Sequence, residues 1–141
     1  MKTAMIARCV GLGTLFWFSA ALIVRVAGEA VFTENNPLLV LFYALTFPIT
    51  YLFLLTTRLV TSLPYSALLR PIVIITLTAA ALDAIALSWF RWLYSESFEV
   101  ALHGAALILW GVSVGLLFAF VLDWRGQRAT SGSVRNTTAV L

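Results

Sequence analysis

The chain of 141 residues is far more apolar than a soluble protein: 62% of its residues are hydrophobic, 11% are charged, and its mean hydropathy is +1.00. Soluble proteins contain about 45–50% apolar and about 25% charged residues, and a soluble fold of this size has too little interior to bury such a composition. The net charge is +3, but the basic residues are scattered and form no run that would suit a nucleic acid. The composition therefore predicts an integral protein of the lipid bilayer, with no nucleic-acid partner.

The first hydrophobic segment covers about residues 9–32 and follows two basic residues, Lys2 and Arg8. A secretory signal peptide is the alternative, because Gly28-Glu29-Ala30 resembles a small-x-small cleavage site. The apolar stretch is longer than the ~7–15-residue core of a signal peptide, so we expect a membrane span.

The second and third spans are predicted over about residues 37–57 and 71–93. Asn36 is a good cap for a helix with Pro37 at its first position. Pro48 falls inside the second span and predicts a kink, which membrane helices tolerate. Arg70 marks the start of the third span.

The fourth span is predicted over about residues 99–122, after Ser97 as a cap and with Glu99 in the first turn. Residues 1–124 then form one domain, an all-α bundle of four transmembrane helices. After this domain the composition changes to Gly, Ser, Thr, Arg and Asn, which predicts a disordered tail over residues 125–141.

Two ionisable residues lie inside the predicted spans, where charge is costly and suggests function. At about 1.5 Å per residue, Arg25 is ~10 Å and Asp83 ~15 Å from the outer ends of their spans. We expect the two side chains to meet inside the bundle as a polar pair. Alternatively, Arg25 extends to the outer interface or meets Glu29 one turn along, and Asp83 carries a proton.

Three further residues, Glu29, His103 and Tyr43, are secondary candidates because they are polar and lie in or near the spans. One histidine cannot supply both axial ligands of a haem or a metal cluster, so His103 is expected to form a hydrogen bond at the outer interface. The single cysteine, Cys9, rules out a disulfide framework within the chain. The sequence has no nucleotide, zinc or serine-hydrolase motif and no nucleophile with a base, so we expect no cofactor, no metal and no enzymatic activity.

Small residues recur along one face of the fourth span, at spacings that keep them in register on a helix. They are Gly104, Gly111, Gly115 and Ala119. Since small residues let helices approach closely in lipid, we expect this face to pack against other helices.

Four short motifs occur in order along the spans: Arg-x-x-Gly at 25–28, Phe-Pro-Ile-Thr-Tyr at 47–51, Leu-Asp-Ala-x-Ala-Leu at 82–87 and Leu-x-Leu-Trp-Gly at 107–111. Together they resemble an uncharacterised family of small bacterial and archaeal four-helix membrane proteins, a domain of unknown function. The resemblance implies a fold and no activity. The small multidrug-transporter family has the same size, but its membrane-embedded glutamate in helix one has no counterpart here.

Two functions from different classes fit these observations. The first is a non-enzymatic accessory or assembly subunit, whose small-residue faces pack against other membrane helices in a larger complex. The alternative is a small transporter, acting as a homo-oligomer, in which Asp83 and Arg25 handle a proton or an anionic solute. A transporter requires oligomerisation because four helices rarely enclose a pathway alone.

The distribution of basic residues predicts that both termini lie in the cytoplasm and that the protein is a multi-pass protein of the cell inner membrane. Seven of the nine Lys and Arg residues fall on the side of the membrane where both termini lie, and only Arg25 and Arg91 fall on the other side. Alkaline phosphatase fused after Leu141 should therefore be inactive, and the same enzyme inserted after Glu34 should be active. A C-terminal fusion active only as a periplasmic enzyme would contradict this orientation.

Overall fold

The computed structural model describes residues 3–138, with side chains as far as residue 128, and is helical with no strand in that range. The four helices are α1 (Thr3–Val31), α2 (Pro37–Thr61), α3 (Leu69–Trp89) and α4 (Phe98–Thr138). Short 3-10 turns at Tyr65–Ala67 and Arg91–Leu93 lie in the second and third connections. The predicted all-α, four-helix fold is confirmed.

All four helices are long and apolar enough to cross a membrane. Even α3, the shortest with 21 residues, extends for ~32 Å, against a hydrocarbon thickness of ~30 Å. Large apolar side chains point away from the bundle: Val26 and Leu59 are each 78% exposed and Leu77 is 69% exposed. Such apolar surfaces are stable in the hydrocarbon of a lipid bilayer. The protein is therefore a multi-pass membrane protein.

Each helix differs from its predicted span in at least one boundary: α1 begins earlier, at Thr3, α2 ends later, at Thr61, and α3 begins at Leu69. Helix α3 ends at Trp89 rather than near residue 93, because a 3-10 turn follows it. Helix α4 continues to Thr138, whereas a disordered tail was expected from residue 125; residues 139–141 lie outside the described residues. No proline interrupts this segment, and Gly126 packs directly on Ser66, where an added Cβ would lie 2.2 Å from the Ser66 Cβ. This contact holds the first extra turn of α4 against the connection between α2 and α3.

Around the bundle the helices follow the order α1, α3, α4, α2, since α1 packs mainly on α3 and α2 mainly on α4. Arg8 donates a hydrogen bond to the carbonyl of Val60, which places the start of α1 beside the end of α2. At the opposite end, the backbone N–H of Glu34 donates to Oε1 of Glu99 at 2.6 Å, joining the first connection to the first turn of α4. The start of α1 and the late turns of α4 therefore lie at one end of the bundle.

Four of the five buried residues of α2 are threonines, and the fifth is Leu54. Thr46, Thr50, Thr57 and Thr61 lie at spacings that keep them on one side of the helix. The hydroxyls of Thr57 and Thr61 donate to backbone carbonyls one turn earlier, at 2.8 and 2.7 Å. These two hydroxyls thus find their partners inside the bundle, as lipid requires.

Near its end α1 is interrupted at Gly28, whose φ of 43° and ψ of −137° are not helical. A positive φ suits glycine because it has no Cβ. The altered direction brings Val31 and Phe32 into the core, where they are 6% and 0% exposed.

The closest approach of α1 to α3 is at Gly13. A Cβ added there would lie 2.7 Å from the carbonyl oxygen of Ile75 and 2.8 Å from the Cβ of Thr78. Gly11, two residues earlier, is exposed and has nothing within 4 Å of an added Cβ. The two glycines therefore provide a matched pair for testing the helix contact.

Replacing Gly13 by Ala should lower the free energy of unfolding by about 1–3 kcal/mol, the usual cost of overpacking a tight contact. The measurement is reversible unfolding in mixed micelles. Gly11→Ala has the same effect on helix propensity but meets no neighbour, and should not be destabilising. Equal stability of the two variants would argue against the α1–α3 contact.

Candidate functional site

A cavity of about 190 Å³ lies inside the bundle and is lined by all four helices. Residues from both the core region around Val24 and Leu107 and the core region around Leu54 and Ile72 contribute to its wall. The cavity therefore separates two packed regions. Its wall is mainly apolar and includes the aromatic residues Phe16, Trp17, Phe42 and Phe53, with Asp83 as its one acidic residue.

The cavity opens to the side, between α1 and α2. Ile23 of α1 and Leu45 and Ile49 of α2 line it and are also exposed on the outer surface of the bundle. In a membrane these three side chains face hydrocarbon. The opening therefore connects the cavity with the lipid phase.

Asp83 is the only buried charged residue in the described part of the chain, at 8% exposure. It lies on α3, six residues before the helix ends at Trp89, or ~9 Å from that end. Its Oδ1 accepts a hydrogen bond from the hydroxyl of Tyr94, which is fully buried. The Tyr94 oxygen accepts in turn from the indole N–H of Trp17 on α1, at 2.9 Å.

The direction of these hydrogen bonds follows from the groups themselves. Indole can only donate, so the Trp17 proton points to Tyr94, and the single hydroxyl proton of Tyr94 is left for Asp83. Burial, and then the neighbouring carboxyl group, raises the pKa of Tyr94, which therefore stays protonated. The Trp17 indole also lies within hydrogen-bonding reach of the Asp83 carboxyl group, so Tyr94 and Trp17 are its two hydrogen-bonding neighbours. A carboxyl group has further lone pairs, which can bind a proton or a ligand while Tyr94 stays bonded to Oδ1.

Arg25 does not pair with Asp83, contrary to the expectation from the sequence. Its side chain is exposed and its guanidinium donates to the backbone carbonyl of Trp92, in the connection between α3 and α4. A long arginine side chain can reach the interface from inside a span, and a carbonyl at the end of a helix is available there. Arg25 thus ties α1 to the third connection, while Tyr94 serves as the partner of Asp83.

The secondary candidates do not join the cavity network. Glu29 is exposed at the outer end of α1, and His103 is half-buried on α4; neither forms a side-chain hydrogen bond with the described residues. Tyr43 contributes its backbone carbonyl, which accepts from the hydroxyl of Thr46 at 2.5 Å and from the indole of Trp110 at 3.3 Å. Tyr43 therefore links α2 to α4.

The four small residues of α4 have different surroundings. Gly104 meets Val24 of α1, where an added Cβ would lie 2.4 Å from Cγ1, and Ala119 is fully buried. An added Cβ at Gly115 would lie 3.4 Å from Thr50, an ordinary contact. At Gly111 an added Cβ would meet nothing within 4 Å, because this residue lines the cavity. The predicted packing face is therefore interrupted at its centre.

The sequence analysis named neither Tyr94 nor Trp17 as a candidate. The available signal was Trp17 itself, since an indole N–H in the middle of a span needs an acceptor on another helix. Which acceptor it finds depends on how the third connection folds back, and hydropathy does not describe that.

No group of three or more His, Cys, Asp or Glu side chains is placed to hold a metal ion among the residues described.

In comparisons with known proteins, the model of a family of unknown function, DUF5367, matches residues 31–126. The chain belongs to this family, as its motifs in the second, third and fourth helices indicated; the Arg25–Gly28 motif precedes the match. No curated protein and no solved structure matches the chain.

Replacing Tyr94 by Phe should destabilise the protein by about 1–3 kcal/mol, because it leaves both the Trp17 N–H and the Asp83 carboxyl group without their partner. Unfolding in mixed micelles measures the effect. Tyr43→Phe is the control, since the Tyr43 hydroxyl forms no hydrogen bond with the described residues. A Tyr94→Phe protein as stable as this control would mean that the hydroxyl network does not hold the bundle together.

Proposed function

We propose that this DUF5367 protein binds a small, mainly apolar molecule inside its helix bundle. The observation that carries the proposal is the cavity of about 190 Å³, whose wall includes the carboxyl group of Asp83. An engineered apolar cavity of ~150 Å³ in another protein binds benzene, so this volume suits a molecule of about one aromatic ring with a short substituent. A phospholipid is far too large.

The distribution of glycine supports a binding role over a packing defect. At Gly13 and Gly104 the missing side chain allows two helices to touch, because an added Cβ would clash with a neighbour. At Gly111 there is no neighbour to accommodate, and a larger side chain would simply fill space. Since protein interiors are normally close-packed, an open volume of this size bounded by a glycine is consistent with a ligand site.

The lateral opening between α1 and α2 supports a lipophilic ligand. A molecule dissolved in the hydrocarbon can enter past Ile23, Leu45 and Ile49 without passing through water. The ligand class is thus one that partitions into membranes before it binds.

Of the two functions expected from the sequence, the geometry favours the small transporter. The accessory-subunit hypothesis depended on small-residue faces that are free to bind other helices, and Gly104 and Ala119 of that face are buried inside the chain. The transporter hypothesis depended on an ionisable group facing the interior, and Asp83 supports it, with Arg25 outside the site. The proposed role is non-enzymatic and lies in the cell inner membrane. Transport across the membrane would use a homo-oligomer, because the cavity of one chain opens to lipid between α1 and α2.

Replacing Gly111 by Leu should abolish binding of a small apolar probe, because the new side chain fills the cavity. Propylbenzene is a suitable probe, measured by equilibrium dialysis against the protein in lipid nanodiscs, with empty nanodiscs subtracted. Gly11→Leu is the matched control: it makes the same substitution on the lipid-facing side of α1 and should bind like the wild type. Absence of saturable binding to the wild-type protein, or binding that survives in Gly111→Leu, would overturn the proposed function.

A further inference from the structure

The Asp83 carboxyl group is nine-tenths buried and faces a cavity that supplies it with no cation. Asp83 forms an ion pair with no Lys, Arg or His in the part of the chain that the structure describes. Arg25, the one arginine on the neighbouring part of α1, is engaged with Trp92 at the surface. A buried carboxylate without a counter-ion is unfavourable, so the group needs either a proton or a cationic partner.

The wall of the cavity suits a cation that carries an apolar body. Four aromatic side chains line it: Phe16, Trp17, Phe42 and Phe53. Phe16 of α1 and Phe53 of α2 are stacked with their ring centroids 4.2 Å apart, which fixes one side of the site. Aromatic faces attract cations and also bury hydrocarbon. An anionic ligand would meet the carboxyl group with no compensating positive charge.

We propose that the ligand of this cavity is a lipophilic amine and that Asp83 is its counter-ion. The assignment rests on the function proposed above and names the ligand class of the same site. The amine enters from the bilayer as the neutral base. Its nitrogen lone pair then takes the carboxyl proton of Asp83: the O–H bond breaks, an N–H bond forms, and an ammonium group and a carboxylate result. No net charge enters the membrane, and the two new charges form an ion pair.

The network around Oδ1 favours this exchange. Tyr94 donates to Oδ1 in both charge states of the carboxyl group, and Trp17 holds the Tyr94 oxygen in place. The carboxyl group is therefore oriented before the amine arrives.

The test compares 2-phenylethylamine with propylbenzene, which has a methyl group in place of the amine, and with 3-phenylpropanoate, an anion. In nanodiscs the wild-type protein should bind the amine about tenfold or more tightly than propylbenzene, a difference of about 1.4 kcal/mol or more, and should not bind the anion. Asp83→Asn should lose the preference for the amine and still bind propylbenzene. Gly111→Leu should bind neither.

Infrared difference spectroscopy on the wild-type protein provides a second measurement that does not depend on whether Asp83→Asn folds. Binding of the amine should remove the carbonyl band of a protonated carboxyl group and produce a carboxylate band, while propylbenzene should leave the protonated band in place. If propylbenzene binds and the amine is not preferred, or if no carboxylate band appears, the ligand class is wrong and the apolar site remains. If propylbenzene does not bind at all, the proposed function itself fails.

Discussion

The hydrocarbon core of a membrane contains no water, so each polar group on a transmembrane helix has to find its partner inside the bundle. In this protein the constraint is greatest at Asp83, and Tyr94 meets it from the connection that follows the same helix. For the tyrosine to point back into the bundle, α3 has to stop at Trp89 and the chain has to turn at once. Trp17 then fixes the depth of α1 against that turn. One buried carboxyl group thus sets the position of three elements.

A second constraint, the lack of a hydrophobic driving force between helices in lipid, makes close packing depend on small residues. The glycines at positions 13 and 104 draw α1 against α3 and α4. At the level of the cavity the helices do not pack closely. The stacked rings of Phe16 and Phe53 lie between α1 and α2, and Gly111 leaves space beside α4. Close contacts between helices therefore lie on both sides of the cavity along the bundle axis.

The sequence predicted what depends on one helix at a time. Four apolar runs of sufficient length, capped by residues such as Asn36, locate the spans, and Asp83 is conspicuous as a carboxyl group within one of them. The pairing of side chains depends on which helices are neighbours. Arg25 and Asp83 lie at similar depths, but depth alone does not decide pairing: Tyr94 donates its hydrogen bond to Asp83, and the backbone at Trp92 offers Arg25 a carbonyl at the bundle surface.

The same limit explains the small-residue face of α4. A stripe of glycine and alanine on a helix is compatible with contact and with empty space, and sequence does not distinguish them. Gly104 and Ala119 are in contact with neighbours or fully buried, while Gly111 between them is open, because the facing helix α1 is held at Val24 and the facing helix α2 by the aromatic stack. The outcome at each position depends on side chains far away in the chain.

The Asp83 carboxyl group takes part both in the packing of the bundle and in the wall of the cavity. Its Oδ1 belongs to a chain of hydrogen bonds that links α3, the third connection and α1. A group that only bound a ligand would lack such a fixed partner. The same carboxyl group lines a cavity that contains no basic side chain among the residues described. Because Tyr94 keeps its proton and donates it to Oδ1, a change of charge on the carboxyl group need not break the contact that holds the helices together. In the proposed site, a proton is therefore exchanged for a cation while the surrounding bundle keeps its packing.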